Sequence, residues 1–124
     1  MDLQTFKTKK NPSVKEAEED LEQLTAKKSE LKGKLDKLDI EIAELETQAG
    51  EDALNDSLSG TSSAGNAMRK LNNKRTERNT TAGALKQCEQ YIRKAQTNKT
   101  LAMASDKRKE AVKKLKEAEQ IESK

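Results

Sequence analysis

The side chains that do chemistry in most enzymes are sparse or missing here. The chain has no His, which excludes His-based acid–base catalysis, Ser-His-Asp triads and His-containing zinc or di-iron sites. Cys88 is the single cysteine, so cysteine-only zinc sites, Cys-x-x-Cys redox pairs and an internal disulfide are excluded, and nothing calls for an oxidising compartment. Its mid-helix position reads as a buried structural thiol. Carboxylates are plentiful, but Glu41, Glu44 and Asp52 lie on a charged helix face. No EF-hand spacing organises them for a cation. The stretch 50–65 is rich in Gly and Ser, yet it carries no Gly-x-x-x-x-Gly-Lys-Ser/Thr pattern and follows no strand, so it reads as a connection rather than a phosphate cradle. No catalytic residue, metal ligand, cofactor or small-molecule substrate is expected, and the chain reads as a non-enzyme.

Two basic clusters are the remaining chemical feature. Residues 69–78 carry five basic side chains against Glu77, and residues 106–116 carry six against Asp106 and Glu110. Lys107, Arg108, Lys109 and Lys113 are the candidate contacts to a partner or to phosphates. The only aromatic residues are Phe6 and Tyr91, so stacking platforms for bases are lacking and nucleic acid is the weaker partner. Val112, Leu115, Ala118 and Ile121 accompany the second cluster. That combination also suits docking on an acidic partner or a membrane surface.

The elements that must carry these residues are helices. Of the 124 residues, 31% are apolar, 38% charged and 2% aromatic, too few large apolar side chains to fill a compact core. The dominant residues, Ala, Leu, Glu, Lys and Gln, are strong helix formers, and Pro12 is the sole proline. Residues 1–11 show no periodicity and are expected to form a flexible basic tail. Asn11-Pro12-Ser13, with Glu16 three residues after Ser13, signals a helix start. Helix one is expected over 12–50. Its seam runs Val14, Ala17, Leu21, Leu24, Lys28, Leu31, Leu35, Leu38, Ile42, Leu45, Ala49 in alternating steps of three and four. Such a 3.5-residue period is a left-handed coiled-coil seam.

A Ser/Gly-rich loop is expected over 51–64 and a second helix over 65–103. The second seam, Ala67, Leu71, Lys74, Arg78, Thr81, Leu85, Cys88, Ile92, Ala95, Lys99, Ala102, keeps the spacing with smaller and more polar occupants. Beyond it a new stripe of Leu101, Ala104, Arg108, Ala111, Leu115 and Ala118 is out of phase. Residues 104–124 therefore either extend the second helix through a stutter or form a short third helix capped at Ser105-Asp106.

Charge selects the pairing. Residues 13–50 hold 6 basic and 11 acidic side chains, whereas residues 64–103 hold 9 basic and 2 acidic. The fold class expected is all-α: a long antiparallel helical hairpin, a coiled coil, whose thin seam makes it self-associate as a dimer or higher, or bind another helical protein. The interface residues would be Leu21, Leu24, Leu31, Leu35, Leu38, Ile42, Leu45, Leu71, Leu85, Cys88 and Ile92. The function expected is that of a non-catalytic adaptor, spacer or assembly factor. The alternatives are a small basic nucleic-acid-associated regulator and a small exported helical hairpin. The last is similar to type VII-secreted substrates in shape alone, with Leu58-Ser59-Gly60 where those proteins show Trp-x-Gly, in a chain without Trp. The sequence shows neither a signal-peptide pattern nor a membrane-spanning stretch, so a cytoplasmic setting is the expectation.

Overall fold

A computed structural model describes residues 1–122. Three helices, α1 (Leu3–Thr8), α2 (Val14–Ser59) and α3 (Ala64–Glu122), account for 91% of the structure, with no strand among the described residues. The two long helices pack against one another as an antiparallel hairpin, the all-α coiled-coil architecture expected. The chain divides into two compact units, Lys27–Glu89 and, separately, Met1–Ala26 with the chain from Gln90 onward.

The first unit contains the turn. Helix α2 continues nine residues past the expected boundary at 50, through Gly50 to Ser59. A lone helical Gly costs about 1 kcal/mol relative to Ala and does not break a helix by itself. The actual stop is Gly60, whose φ of +74° is one that only glycine adopts without strain. Its N–H donates to the Asp56 carbonyl at 2.8 Å, closing the last turn. The Asp56 carboxylate then accepts from Ser63 N (2.9 Å), Ser63 Oγ (2.8 Å), Thr61 Oγ1 (2.6 Å) and Ala64 N (2.8 Å). One carboxylate thereby ends α2 and opens α3, and the expected 51–64 loop shrinks to residues 60–63. Along the packed faces, Leu38, Ile42, Ala49, Ala67, Leu71, Thr81 and Cys88 are buried. Leu31, Leu35, Leu45, Lys74, Arg78 and Leu85 are half-buried.

The second unit contains the start of α2. Ser13 is its cap: Ser13 Oγ accepts from Glu16 N at 3.1 Å and donates to the Glu16 carboxylate at 3.3 Å. The expected flexible tail over 1–11 is instead a folded strap. Asp2 caps α1 by accepting from Gln4 N at 3.1 Å. Asn11 turns the chain with a φ of 51°, a left-handed conformation that Asn tolerates better than most residues. The strap is anchored by Phe6, 1% exposed, whose ring meets Tyr91 edge to face at 5.7 Å and 89°. Lys94 Nζ lies 5.6 Å from the Phe6 ring and Lys7 Nζ 5.6 Å from the Tyr91 ring. Burying a Phe contributes about 1.5–3 kcal/mol, and an aromatic pair adds about 0.5–1.5 kcal/mol. A six-residue helix has no stability of its own, so this ring is what holds α1. Ala17 and Ala95, both 0% exposed, complete the core of this unit with Leu24.

The third difference concerns the far end of the chain. Helix α3 passes through Ser105-Asp106 without a break, so the extension is realised and the short extra helix is α1. Residues 123 and 124 lie outside the described part.

Replacing Phe6 by Ala should undock α1 while leaving the long helices formed. We expect the amides of Phe6 and Lys9, which donate to Asp2 and Phe6 carbonyls, to lose hydrogen-exchange protection, with a docking loss of about 3 kcal/mol. Unchanged protection of those amides would show that the ring is not the anchor.

Candidate interaction surface

The seam of unit 27–89 is a mixed surface in which charge completes what apolar side chains leave undone. Lys74 and Arg78 occupy α3 seam positions where a leucine would ordinarily pack. Each meets a carboxylate of α2. Lys74 Nζ is 2.9 Å from Glu41, and Arg78 Nε donates to Asp39. Arg75 reaches Glu46 at 3.1 Å, with Lys34–Glu77 at 3.8 Å and Lys28–Glu89 at 3.9 Å beside them. The Lys74 hydrogen bond holds the Glu41 carboxyl below its ordinary range, and the same bond and charge raise the Lys74 ammonium. Exposed pairs like these add little to stability, because water and salt screen them. Their effect is to fix orientation and register.

In the other unit the charges are arranged differently from the simple α2–α3 matching that composition suggests. Lys99 does reach Glu18 at 3.5 Å. Asp20, only 7% exposed, is instead taken by Lys9 at 3.2 Å, with Glu16 at 3.6 Å. Desolvation pulls the Lys9 ammonium down, but the hydrogen bond and charge of Asp20, reinforced by Glu16, outweigh it and hold the group above its ordinary value. Lys94 turns to the Phe6 ring rather than to an acid. The strap thus competes with α3 for the acidic start of α2. Periodicity could not reveal this, although the two lone aromatics, Phe6 and Tyr91, were a usable signal.

The predicted interface residues fall into two groups. Leu24, Leu38, Ile42, Leu71 and Cys88 are buried. Leu21, Leu31, Leu35, Leu45, Leu85 and Ile92 are half-buried. The predicted contact residues Lys107, Arg108, Lys109 and Lys113 all lie on the last part of α3, where every residue from 103 to 122 is exposed. Leu101, Val112, Leu115 and Ile121 are 64%, 51%, 61% and 74% exposed. Lys109 also borders an open groove of about 340 Å³ whose other walls include Ser13, Glu16, Asn98 and Asp106. Among the described residues no cluster of metal-ligating side chains occurs, and no helix is long and apolar enough to cross a membrane.

Two residues that the motif reading set aside have defined roles. Burial pushes the Cys88 thiol up, and Glu89 adds to this against the opposing charges of Lys28 and Lys27, so the sulfur is a neutral packing group. Asp56, treated only as part of a loop, is the joint of the hairpin. Leu58-Ser59-Gly60 falls at this turn, with Leu58 79% exposed. No family model, no curated protein and no solved structure matches this chain.

Two outcomes test these assignments. The bonds from Ser63, Thr61 and Ala64 hold the Asp56 carboxyl far below its ordinary value of 3.8. A depressed folded value means stability present above about pH 4 and lost as pH falls. We therefore expect acid to destabilise the turn from about pH 4 downward. Asp56→Asn, which cannot titrate, should flatten that part of the pH–Tm curve; an unaltered curve would refute the role. For Cys88, alkylation by iodoacetamide in the folded chain should be at least about tenfold slower than in urea. Equal rates would show an accessible thiolate.

Proposed function

We propose that this protein is a non-catalytic coiled-coil interaction protein, an adaptor, spacer or assembly factor that works in a larger complex in a cytoplasmic setting. The observation that carries this reading is the terminal stretch of α3. Residues 103–122 are exposed along their whole length while bearing Val112, Leu115 and Ile121. Isolated helices of this length are marginal in water and gain most of their stability from packing an apolar face. A helix that keeps such side chains uncovered has the composition of a segment completed by something else. The rest of the chain supplies a platform: α2 and the preceding part of α3 are joined by a capped turn and charge-matched seam. The residues available for acid–base or nucleophilic chemistry are used in packing and pairing, as Cys88, Asp56 and Asp20 are. That distribution supports a role in assembly rather than in turnover.

A nucleic-acid-associated role is the competing reading. It draws on the six basic side chains of 106–116, and salt-sensitive binding through them would be its hallmark. It leaves Leu101, Val112 and Leu115 without a purpose.

The test is affinity capture of the tagged, full chain from its native cell extract, with and without nuclease, followed by mass spectrometry. A stoichiometric protein partner that survives nuclease is the expected result. Recovery that depends on nucleic acid would overturn the adaptor reading in favour of the basic regulator.

A further inference from the structure

We infer that the exposed stripe of α3 from Leu101 to Ala118 is the docking face for an amphipathic helix of another protein, one whose apolar seam is flanked by Asp and Glu. This inference rests on the interaction reading above and names the site and the chemistry of its partner.

The stripe is a distinct face, not a continuation of the packed one. Ala95 is 0% exposed and marks the buried line of α3. At about 100° per residue, Leu101 lies about 120° around the helix from Ala95, and Ala111 and Leu115 about 160°. The row Leu101, Arg108, Leu115 alternates with the row Ala104, Ala111, Ala118 in steps of three and four. Together they form a coiled-coil seam turned away from the buried line, with Leu101 at its edge also bordering the groove walled by Pro12, Ser13 and Glu16. All six positions are exposed.

Its chemistry matches a pattern already realised in unit 27–89. There α3 presents a seam that mixes apolar side chains with Lys74 and Arg78, and α2 answers with Glu41 and Asp39. The far stripe has the same make-up: leucines, alanines, Arg108 within the seam, and Lys107 and Lys114 on one flank. The helix that fits it is one built like α2, acidic beside an apolar row. Lys114 reaches Glu110 at 3.4 Å along its own helix. With 73% and 66% side-chain exposure, that pair is weak and yields readily to a better partner.

Other occupants fit less well. In a parallel pairing with a second copy, Arg108 would face its own counterpart. In antiparallel registers that set Leu115 against Ala111 or Ala104, Lys114 would face Lys114 or Lys107. Like charges across a seam disfavour each arrangement. A membrane surface calls for a wide face of bulky residues with aromatics, whereas this stripe is narrow, half alanine, and has Arg108 in its centre. Nucleic acid would use the lysines and leave the leucines in water.

The probes are two synthetic helical peptides of about three heptads with the same leucine seam, one carrying Glu and one Lys at the flanking positions. Binding to the full chain is read by fluorescence anisotropy. We expect the Glu-flanked peptide to bind and the Lys-flanked one not to. Leu115→Asp, at an exposed site, should weaken binding at least about tenfold with helix content by circular dichroism unchanged. The double variant K107E/K114E should reverse the preference between the peptides. Equal affinity for both peptides, or none for either, overturns the inference. So does a sedimenting dimer that L115D dissociates, which would assign the stripe to a second copy, or L115D-sensitive binding to phosphatidylserine vesicles, which would assign it to a membrane. If the protein captured from extract is retained by L115D, the adaptor reading stands and this inference alone fails.

Discussion

Lys74 and Arg78 sit in the middle of a helix–helix seam, and the carboxylates of Glu41 and Asp39 are what make that tolerable. A coiled coil ordinarily draws its stability from leucines on both partners. Here α2 supplies leucines and isoleucine, while α3 supplies Leu71, Leu85, Cys88 and Ile92 interspersed with Lys, Arg and Thr. A basic side chain at such a position has two demands: its aliphatic stem must pack and its charge must stay hydrated or paired. Half-burial of both residues, with an acid from the facing helix at the rim, meets both. The arrangement contributes more to selectivity than to stability: a one-heptad slip toward the start of α2 would set Lys74 and Arg78 against Lys34 and Lys32.

The other features follow from how little apolar surface is available. A seam this thin leaves ends that fray unless each is closed by a specific device. At the turn, the device is Asp56 near the end of α2, whose carboxylate collects donors from Thr61 and Ser63 of the four-residue connection and from Ala64 at the start of α3. At the start of α2 it is the strap, in which one buried aromatic ring and the Lys9–Asp20 pair do the work of a third helix. Both devices use single residues with many partners, a sparing solution where no broad core exists. The last stretch of α3 has no such device among the described residues. Its helix is continued by strong helix formers, and its far-side stripe stays in water.

The long helices and the abundance of charge are two views of one composition. Lys, Glu, Ala and Leu build long helices with adjustable flanks, and flank charge is how such helices choose orientation and partner. The chain has no His, and burial pushes the thiol of its one cysteine, Cys88, up.

Periodicity is a local property, so the chain order of residues was enough to establish helices, the all-α hairpin and the opposed charge of its arms. The stripes defined by spacing alone coincide with positions that are buried or half-buried from Val14 to Ala49 and from Ala67 to Ala102. Single contacts between residues far apart in sequence leave no such trace. Phe6 finds Tyr91 across 85 positions of chain, and a Phe in a polar segment looks the same whether it is anchored or free. Asp56 among serines and glycines looks like any loop residue until Ser63 and Ala64 are brought to it. Whether Ser105-Asp106 caps a new helix or is carried inside an old one depends on whether the chain turns back to pack there. Helix propensity is similar for both outcomes, and the decision fell to tertiary structure: no described residue of α3 after Ala102 is buried, and the helix runs on, exposed.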